Sequence, residues 1–313
     1  MPLNPQTEAM LKGMAAAMPA IDFASITAPA MRAAMSIPNP LMAAAAEPVA
    51  RIENRTVPRH KGETPIRIYV PEGKGPMPIT VYFHGGGWVI GTLDMYNPTC
   101  TKLANRTGSI VVSVDYRLAP EAKFPEPVDD CLGALRWVHD NAASFGGDRT
   151  RIAVAGDSAG GNLSAVVAQL SRNGGPALCH QLLIYPVTDL SATTPSYREN
   201  GPLNLLLSDA MMKWFADQYL PSQSCAFDHR ASPLLEKNLK HLPGATVITA
   251  EFDPLRDEGE AYARALTDAG IPTALRRWNG QVHGFMGMLG IIDDALEALE
   301  FGAEGLRKAF AAR

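Results

Sequence analysis

The chain has 313 residues, of which 46% are hydrophobic and 19% charged, as in a globular protein with a substantial apolar core. Its 28 Lys and Arg against 32 Asp and Glu give a net charge of -4, without the basic runs of a nucleic-acid binder. With no signal-peptide pattern and no apolar stretch of spanning length, we expect a soluble, cytoplasmic protein without stable membrane insertion. Scattered cysteines without a CxxC pair favour reduced thiols over disulfides or a zinc site: Cys100, Cys131, Cys179 and Cys225.

The first 47 residues are rich in alanine and contain seven of the 13 methionines. Met10, Met14 and Met18 recur at four-residue spacing, which predicts that they share one face of a helix. Four prolines between residues 19 and 40 divide the region into short segments. These methionines are either ordinary packing residues or an adaptable apolar lip over a binding site, since thioethers fit irregular shapes.

From about residue 48, strand-like and helix-like segments alternate, which predicts an α/β fold with a mostly parallel sheet covered on both faces. The predicted strands are Val49–Thr56, Thr64–Pro71, Pro78–Phe83, Ser109–Asp115, Arg151–Ala155, Leu182–Val187, Ala245–Ala250 and Thr273–Trp278. The predicted helices are Thr99–Thr107, Val128–Ser144, Gly161–Leu170, Asp257–Ala269 and Asp293–Ala312.

Residues 189–224 interrupt this alternation. They include the apolar stretch Leu203–Leu207 and an amphipathic helix over Ser208–Tyr219, for which Ser208 is a suitable N-cap. We interpret this stretch as an insertion that packs with the N-terminal segment.

Ser158 lies between a predicted strand and a predicted helix, in the sequence Gly156-Asp157-Ser158-Ala159-Gly160. A serine on a tight strand-to-helix turn, with glycines two residues before and two after, is the pattern of a nucleophile elbow. The glycines avoid collisions with the neighbouring strand and helix and tolerate strained backbone angles. The helix N-terminus beneath Ser158 favours negative charge. The pattern therefore predicts a catalytic serine.

A serine hydroxyl needs a base, usually a histidine that a third group orients. In α/β-hydrolases the chain order is Ser, acid, His, which leaves four downstream histidines. Among His180, His229, His241 and His283 we favour His283, because glycines flank it and it follows the last strand, where ligands bind in α/β sheets.

The orienting acid should follow a strand between Ser158 and His283. Asp253 is the first choice, because it follows the strand Ala245–Ala250 and Pro254 stiffens its loop. Asp257 is the second candidate, although it is also suited to the first turn of the next helix, and Glu251 at the strand end is the third.

Acyl transfer also needs N–H donors aimed at the developing oxyanion. Ala159 can supply one backbone N–H. The run His84-Gly85-Gly86-Gly87-Trp88 directly follows a predicted strand, and its glycines allow several N–H groups to face one concavity. A phosphate-binding loop is rejected, because neither GxxxxGK[ST] nor GxGxxG is present.

Together, these motifs resemble the hormone-sensitive-lipase-type carboxylesterases of the α/β-hydrolase superfamily, over about residues 48–313. The motifs that carry the resemblance are His84–Gly87, Asp115–Glu121, Gly156–Gly161, Asp253–Asp257 and His283–Phe285. The resemblance implies Ser158, Asp253 and His283 as the triad and the N–H groups of Gly85, Gly86 and Ala159 as the oxyanion hole. In the same motifs, His84, Gly87, Gly156 and Gly160 support this site. We also expect Asp115 and Arg117 to form a buried charge pair.

The resemblance also implies a helical cap built from residues 1–47 and 189–224, over a catalytic domain of residues 48–188 and 225–313. It implies no cofactor or metal and is compatible with a homodimer. We therefore expect a carboxylesterase that hydrolyses short-to-medium acyl esters. The alternative is an arylformamidase-type amide hydrolase, since Trp88 directly follows the glycines. A ligand receptor without catalysis is disfavoured, because such a protein is expected to lose the base, and His283 is present.

Overall fold

Eight strands form one sheet in this computed structural model, which describes residues 2–17, 21–35, 45–191 and 193–312. The strands are β1 Arg51–Pro58, β2 Glu63–Val70, β3 Met77–Phe83, β4 Ile110–Val114, β5 Gly147–Asp157, β6 His180–Ile184, β7 Gly244–Phe252 and β8 Thr273–Val282. The helices of the described residues are α1 Pro5–Ala17, α2 Ala28–Met35, α3 Asn97–Thr107, α4 Glu126–Asn141, α5 Ala159–Ser171, α6 Pro195–Asn200, α7 Asp209–Tyr219, α8 Arg256–Asp268 and α9 Asp293–Ala311.

The sheet has the order β1-β2-β4-β3-β5-β6-β7-β8. β1 and β2 pair antiparallel, as do β2 and β4, while all pairs from β4 to β8 are parallel. The central strands are buried along their length and read as nearly continuous apolar runs, as strands covered on both faces do. The predicted α/β fold with a mostly parallel sheet is confirmed.

Helices cover both faces of the sheet, and alternate residues of a strand serve opposite faces. In β4, Val112 packs in the core that α4 and α5 contribute to, whereas Val111 packs in the core of α3 and α9. In β6, Leu183 meets α8 while Leu182 meets α9. The carboxyl ends of the parallel strands are therefore left as the edge at which loops meet.

Three strands, β5, β7 and β8, run beyond their predicted carboxyl ends, and each extension leads to a candidate site residue. β5 runs to Asp157, which pairs with Ile184. β8 runs to Val282, which pairs with Phe252 beyond an irregularity in the ladder. Ser158 and His283 therefore follow the last paired residue of their strands directly.

The N-terminal segment lies in two places. α1 is bound to the end of β8, where Asn4 N donates to Gly280 O at 2.9 Å and Thr7 Oγ1 to Gln281 Oε1 at 2.7 Å. The stretch before α2 instead contacts the insertion, since Trp214 Nε1 of α7, which belongs to the insertion, donates to Ile26 O at 3.1 Å. Among the described residues, the predicted packing between insertion and N-terminus is therefore present for this second part.

Of the methionines predicted to share a helix face, Met10 is buried and Met14 packs beside it in the core of α3 and α9. Met18 lies outside the described residues, as do residues 36–44. The described part of this face is therefore core packing rather than a lip over a binding site.

The predicted pair of Asp115 and Arg117 is wrong. Arg117 forms a bidentate pair with Asp130 of α4, with Nε–Oδ2 and Nη2–Oδ1 distances of 2.8 Å, and also contacts Glu126. Its backbone N–H donates to Asp130 Oδ2 at 3.0 Å. The carboxylate of Asp130, with a side chain 1% exposed, therefore fixes the loop after β4 from a different element.

The four cysteines are free thiols, of which Cys100 and Cys131 are buried. Among the helices of the described residues, none has both the length and the apolar character needed to cross a bilayer.

Candidate active site

Ser158 occupies the turn between β5 and α5 in a strained backbone conformation, with φ 55° and ψ -119°. A positive φ is unfavourable for a residue with a Cβ, and it persists because both flanking elements are fixed. The Ser158 N–H donates to Ile184 O of β6 at 2.8 Å. The turn predicted from the GxSxG pattern is therefore present.

The two glycines of the elbow are required by close backbone contact. A Cβ on Gly160 would lie 1.9 Å from Phe83 O and 2.6 Å from His84 O, and one on Gly156 would lie 2.3 Å from Gly160 O. The elbow is therefore packed directly against the end of β3 and the loop that follows it.

The structure brings Ser158, His283 and Asp253 together in one chain of hydrogen bonds. Nε2 of His283 lies 2.9 Å from Ser158 Oγ, and Nδ1 of His283 lies 2.8 Å from Asp253 Oδ2. Asp253 is fully buried, and its Oδ1 accepts the Leu255 N–H at 2.8 Å, which fixes the carboxylate. The carboxylate can therefore hold the imidazole with Nε2 directed at the serine.

The other candidate acids and histidines lie outside this chain of hydrogen bonds. Glu251 accepts the Gly280 N–H, and Asp257 accepts the Ser196 N–H. Among the histidines, His180 contacts Thr246 at the opposite end of the sheet, His229 lies 3.2 Å from Glu236, and His241 is exposed.

The glycine run after β3 supplies N–H groups, but not in the predicted combination. The N–H of Gly85 already donates to Tyr96 Oη at 2.9 Å and to Asp157 Oδ1 at 3.1 Å. Within the described residues, the N–H groups of Gly86, Gly87 and Ala159 have no acceptor. The sequence-based assignment of Gly85 as an oxyanion donor does not fit this geometry, because its N–H is engaged inside the protein.

His84 holds the glycine loop rather than taking part in proton transfer. It is fully buried, its ring stacks on Tyr116 at a centroid distance of 4.4 Å, and its Nδ1 lies 2.7 Å from Gly85 O. Burial lowers the pKa of His84 to about 4, so the ring is neutral at physiological pH.

Residues of the insertion pack against the same loop. A Cβ on Gly87 would come within 2.2 Å of the Phe215 ring of α7. Trp88 is fully buried and stacks on Tyr219, with ring centroids 4.2 Å apart and planes at 2°. Trp88 is therefore a packing residue beneath α7.

Sequence reasoning missed the roles of four side chains at the site, those of Asp157, Tyr82, Tyr96 and Tyr185. Tyr82 and Tyr96 both donate to the carboxylate of Asp157, and the ring of Tyr185 lies 4.8 Å from that of His283. Asp157 stands inside the GxSxG motif, which was a usable signal, whereas nothing in the sequence marks the tyrosines. No cluster of three metal-binding side chains occurs in the ranges that the structure describes.

A nucleophile elbow, a hydrogen-bonded Ser-His-Asp set and an adjacent glycine loop on a mostly parallel sheet define a serine hydrolase of the α/β type. A protein-family model described as an alpha/beta hydrolase fold matches residues 80–287. The chain therefore belongs to this α/β-hydrolase family, and the resemblance to the hormone-sensitive-lipase-type carboxylesterases is confirmed.

Relatives by sequence include a protein named carboxylesterase NlhH from Mycobacterium tuberculosis, 45% identical over 273 residues and covering 84% of each chain. An arylesterase of Saccharolobus solfataricus is 38% identical over 244 residues, covering 77% of this chain and 79% of that one. The chain thus spans most of the length of both relatives.

Solved structures give the same result. A hyperthermophilic esterase from the archaeon Pyrobaculum calidifontis superposes with a TM-score of 0.90 at 39% identity, covering 98% of this chain and 99% of that one. A thermophilic carboxylesterase cloned from a metagenomic library superposes with a TM-score of 0.89 at 42% identity, over 93% and 99% of the two chains.

Proposed function

We propose that this protein is a carboxylesterase that hydrolyses short-to-medium acyl esters through an acyl-enzyme. The observation that carries the proposal is the continuous chain from Ser158 Oγ through His283 to Asp253, with heavy-atom distances of 2.9 and 2.8 Å. Both distances are within the range over which a base can take a proton. The esterase names of the relatives support the same reaction class.

In the proposed acylation step, His283 Nε2 accepts the Ser158 proton as Oγ attacks the ester carbonyl. Asp253 accepts a hydrogen bond from Nδ1–H, which fixes the tautomer and stabilises the imidazolium. His283 then gives its proton to the leaving alcohol, and the acyl group remains on Oγ. Water, deprotonated by the same Nε2, then attacks the acyl carbon, and the proton passes from Nε2 to Ser158 Oγ as the carboxylic acid leaves.

For the oxyanion we propose the N–H groups of Gly86, Gly87 and Ala159. These three lack acceptors among the described residues, whereas the predicted donor Gly85 is engaged by Tyr96 and Asp157. The Ala159 N–H also belongs to the N-terminus of α5, where negative charge is favoured.

We also propose that α2, α6 and α7 cover this site as the helical cap. The support is that α7 packs on the glycine loop, while Asn200 of α6 donates from Nδ2 to Asp253 O at 3.1 Å. Apolar rings of α7 next to the donors suit an uncharged acyl chain of modest length.

The nucleophile is tested by Ser158→Ala, with Ser171→Ala at the far end of α5 as the matched control. We expect kcat on p-nitrophenyl butyrate to fall by about 10⁶ for Ser158→Ala, judging from triad removal elsewhere. The control should keep wild-type kcat. Substantial activity in Ser158→Ala, or no labelling of wild-type Ser158 by an organophosphonate, would overturn the proposal.

The substrate class is tested with p-nitrophenyl esters of increasing chain length and one formanilide. We expect the maximum kcat/KM at about C4 to C8, as the family resemblance implies, and a lower value for the formanilide. Trp88 suggested the amide-hydrolase alternative. Because its ring is buried against Tyr219, we assign it a packing role and not a role in formamide recognition. A cytoplasmic location and a homodimer remain part of the proposal.

A further inference from the structure

The carboxylate of Asp157 accepts hydrogen bonds from three donors of different elements. Its Oδ1 accepts from Tyr82 Oη at 2.8 Å and from the Gly85 N–H at 3.1 Å. Its Oδ2 accepts from Tyr96 Oη at 3.0 Å. The residue is 8% exposed, so these groups take the place of water around a charge next to the nucleophile.

The Asp157 side chain lies at the contact between the elbow and the glycine loop. A Cβ on Gly85 would lie 2.4 Å from Asp157 Oδ2, so the loop can approach the carboxylate only because residue 85 is a glycine. The two donor segments, Gly86 and Gly87 on one side and Ala159 on the other, thus come from backbones that meet at this side chain.

The protonation states suit this arrangement. Burial raises the pKa values of Tyr82 and Tyr96 well above the ordinary value, so both hydroxyls remain donors. Burial also raises the pKa of Asp157, while the bonds from the two tyrosines oppose that rise.

We propose that Asp157 is a positioning residue that sets the distance and orientation between the two halves of the oxyanion hole. Its carboxylate holds the Gly85 N–H of the glycine loop, and its backbone leads directly into Ser158 and Ala159 of the elbow. The inference rests on the proposed ester hydrolysis. Asp157 occupies the first variable position of the GxSxG turn. In this proposal it favours binding of the transition state by holding the glycine loop, and it does not contact the substrate.

The test compares Asp157→Asn, Tyr82→Phe and Tyr96→Phe in the full chain. As a control for the loss of a buried hydrogen bond, Thr246→Val removes the partner of His180 at the opposite end of the sheet.

Organophosphonate titration counts active sites, so that kcat is expressed per reactive serine. Affinity for a short-chain trifluoromethyl ketone reports the oxyanion hole, because Ser158 Oγ adds to its carbonyl carbon, the serine proton passes to His283 and the ketone oxygen becomes the oxyanion.

For Asp157→Asn we expect kcat per site to fall about 10- to 100-fold, the range for losing a hydrogen bond to a charged group, while KM stays within about threefold. Affinity for the ketone should fall by a similar factor. Each Tyr→Phe variant should lose about threefold to tenfold in both quantities, and these two variants decide the question if Asp157→Asn does not fold. Thr246→Val should lose stability but keep kcat per site.

Unchanged kcat per site and unchanged ketone affinity in the Asp157 or tyrosine variants contradict the positioning role. An increase in kcat for Asp157→Asn also contradicts it, because the carboxylate would then be repelling the oxyanion. These results differ from failure of the proposed function, in which the wild type itself would neither be labelled nor hydrolyse the ester.

Discussion

The ring of Phe215 lies directly over Gly87, so that a Cβ on the glycine would lie 2.2 Å from two ring atoms, Cδ1 and Cγ, and 2.6 Å from a third, Cδ2. Gly87 also has a φ of +57°. We predict that Gly87→Ala lowers kcat on p-nitrophenyl butyrate by at least about tenfold, because a donor loop displaced by the ring loses much of what an oxyanion N–H contributes.

Gly108→Ala is the matched control for that substitution. Its φ of +63° imposes a similar backbone strain, but its added Cβ meets nothing within 4 Å. It should cost about 1 kcal/mol in unfolding free energy and leave kcat unchanged. Equal kcat in the two variants would show that contact with Phe215 does not fix the loop.

The second prediction concerns the acid of the proposed triad. Asp253→Asn should lower kcat by about 10⁴, as in serine proteases, because an amide favours the wrong tautomer of His283. The control Asp257→Asn changes a carboxylate on the next helix that binds the Ser196 N–H instead. Steady-state kinetics near neutral pH check both variants, and a large loss in Asp257→Asn together with a small one in Asp253→Asn would reverse the assignment.

Arg117 provides a prediction about stability. Arg117→Gln leaves the Asp130 carboxylate, 1% exposed, without its bidentate partner. We expect a loss of about 2 kcal/mol in unfolding free energy, less than for a fully buried pair because Arg117 is 34% exposed. Urea unfolding measures the effect.

The control for this pair is Lys213→Gln, which breaks an ion pair on the surface of α7 whose side chains are 74% and 39% exposed. That pair should contribute less than about 0.5 kcal/mol. If Arg117→Gln lowers the unfolding free energy no more than Lys213→Gln does, the role given to Asp130 is contradicted.

The fourth prediction concerns acid sensitivity. Burial lowers the pKa of His180 to about 4 from an ordinary value of 6.5. Below pH 6.5 the unfolded chain binds a proton that the folded chain excludes, so stability is complete above pH 6.5 and falls as the pH drops towards 4. For this single group, the loss at pH 5 is about 2 kcal/mol.

His180→Gln should remove that dependence. Urea unfolding at pH 7.5 and pH 5 should show a smaller decrease in stability for the variant than for the wild type. His84, whose pKa burial also lowers to about 4, remains in the variant and keeps part of the acid sensitivity. Equal decreases in wild type and variant would mean that His180 is not the responsible group.

The three residues of the proposed triad could be placed at one edge of the sheet from the sequence, because each follows a parallel strand. The apolar pattern locates each strand, although these strands run two to four residues beyond their predicted ends, and the carboxyl ends of parallel strands meet at one edge. Ser158, Asp253 and His283 are therefore brought together by topology, and the observed distances agree with that expectation.

The engagement of Gly85 could not be predicted, because it depends on the Tyr96 hydroxyl from the loop before α3 and on the Asp157 carboxylate at the elbow. Which N–H of a glycine run is free is decided by such partners and not by the run itself. Likewise, the partner of Arg117 is Asp130 and not the predicted Asp115, because α4 packs beside the loop. No local sequence pattern encodes such a contact between distant segments.

The strained φ of 55° at Ser158 has a consequence for how the protein tolerates change. Glycine would occupy this turn without strain, so a chain with Gly at residue 158 should be easier to keep folded and yet inert. The nucleophile is therefore a residue that folding alone does not favour at this position, and its value lies in turnover.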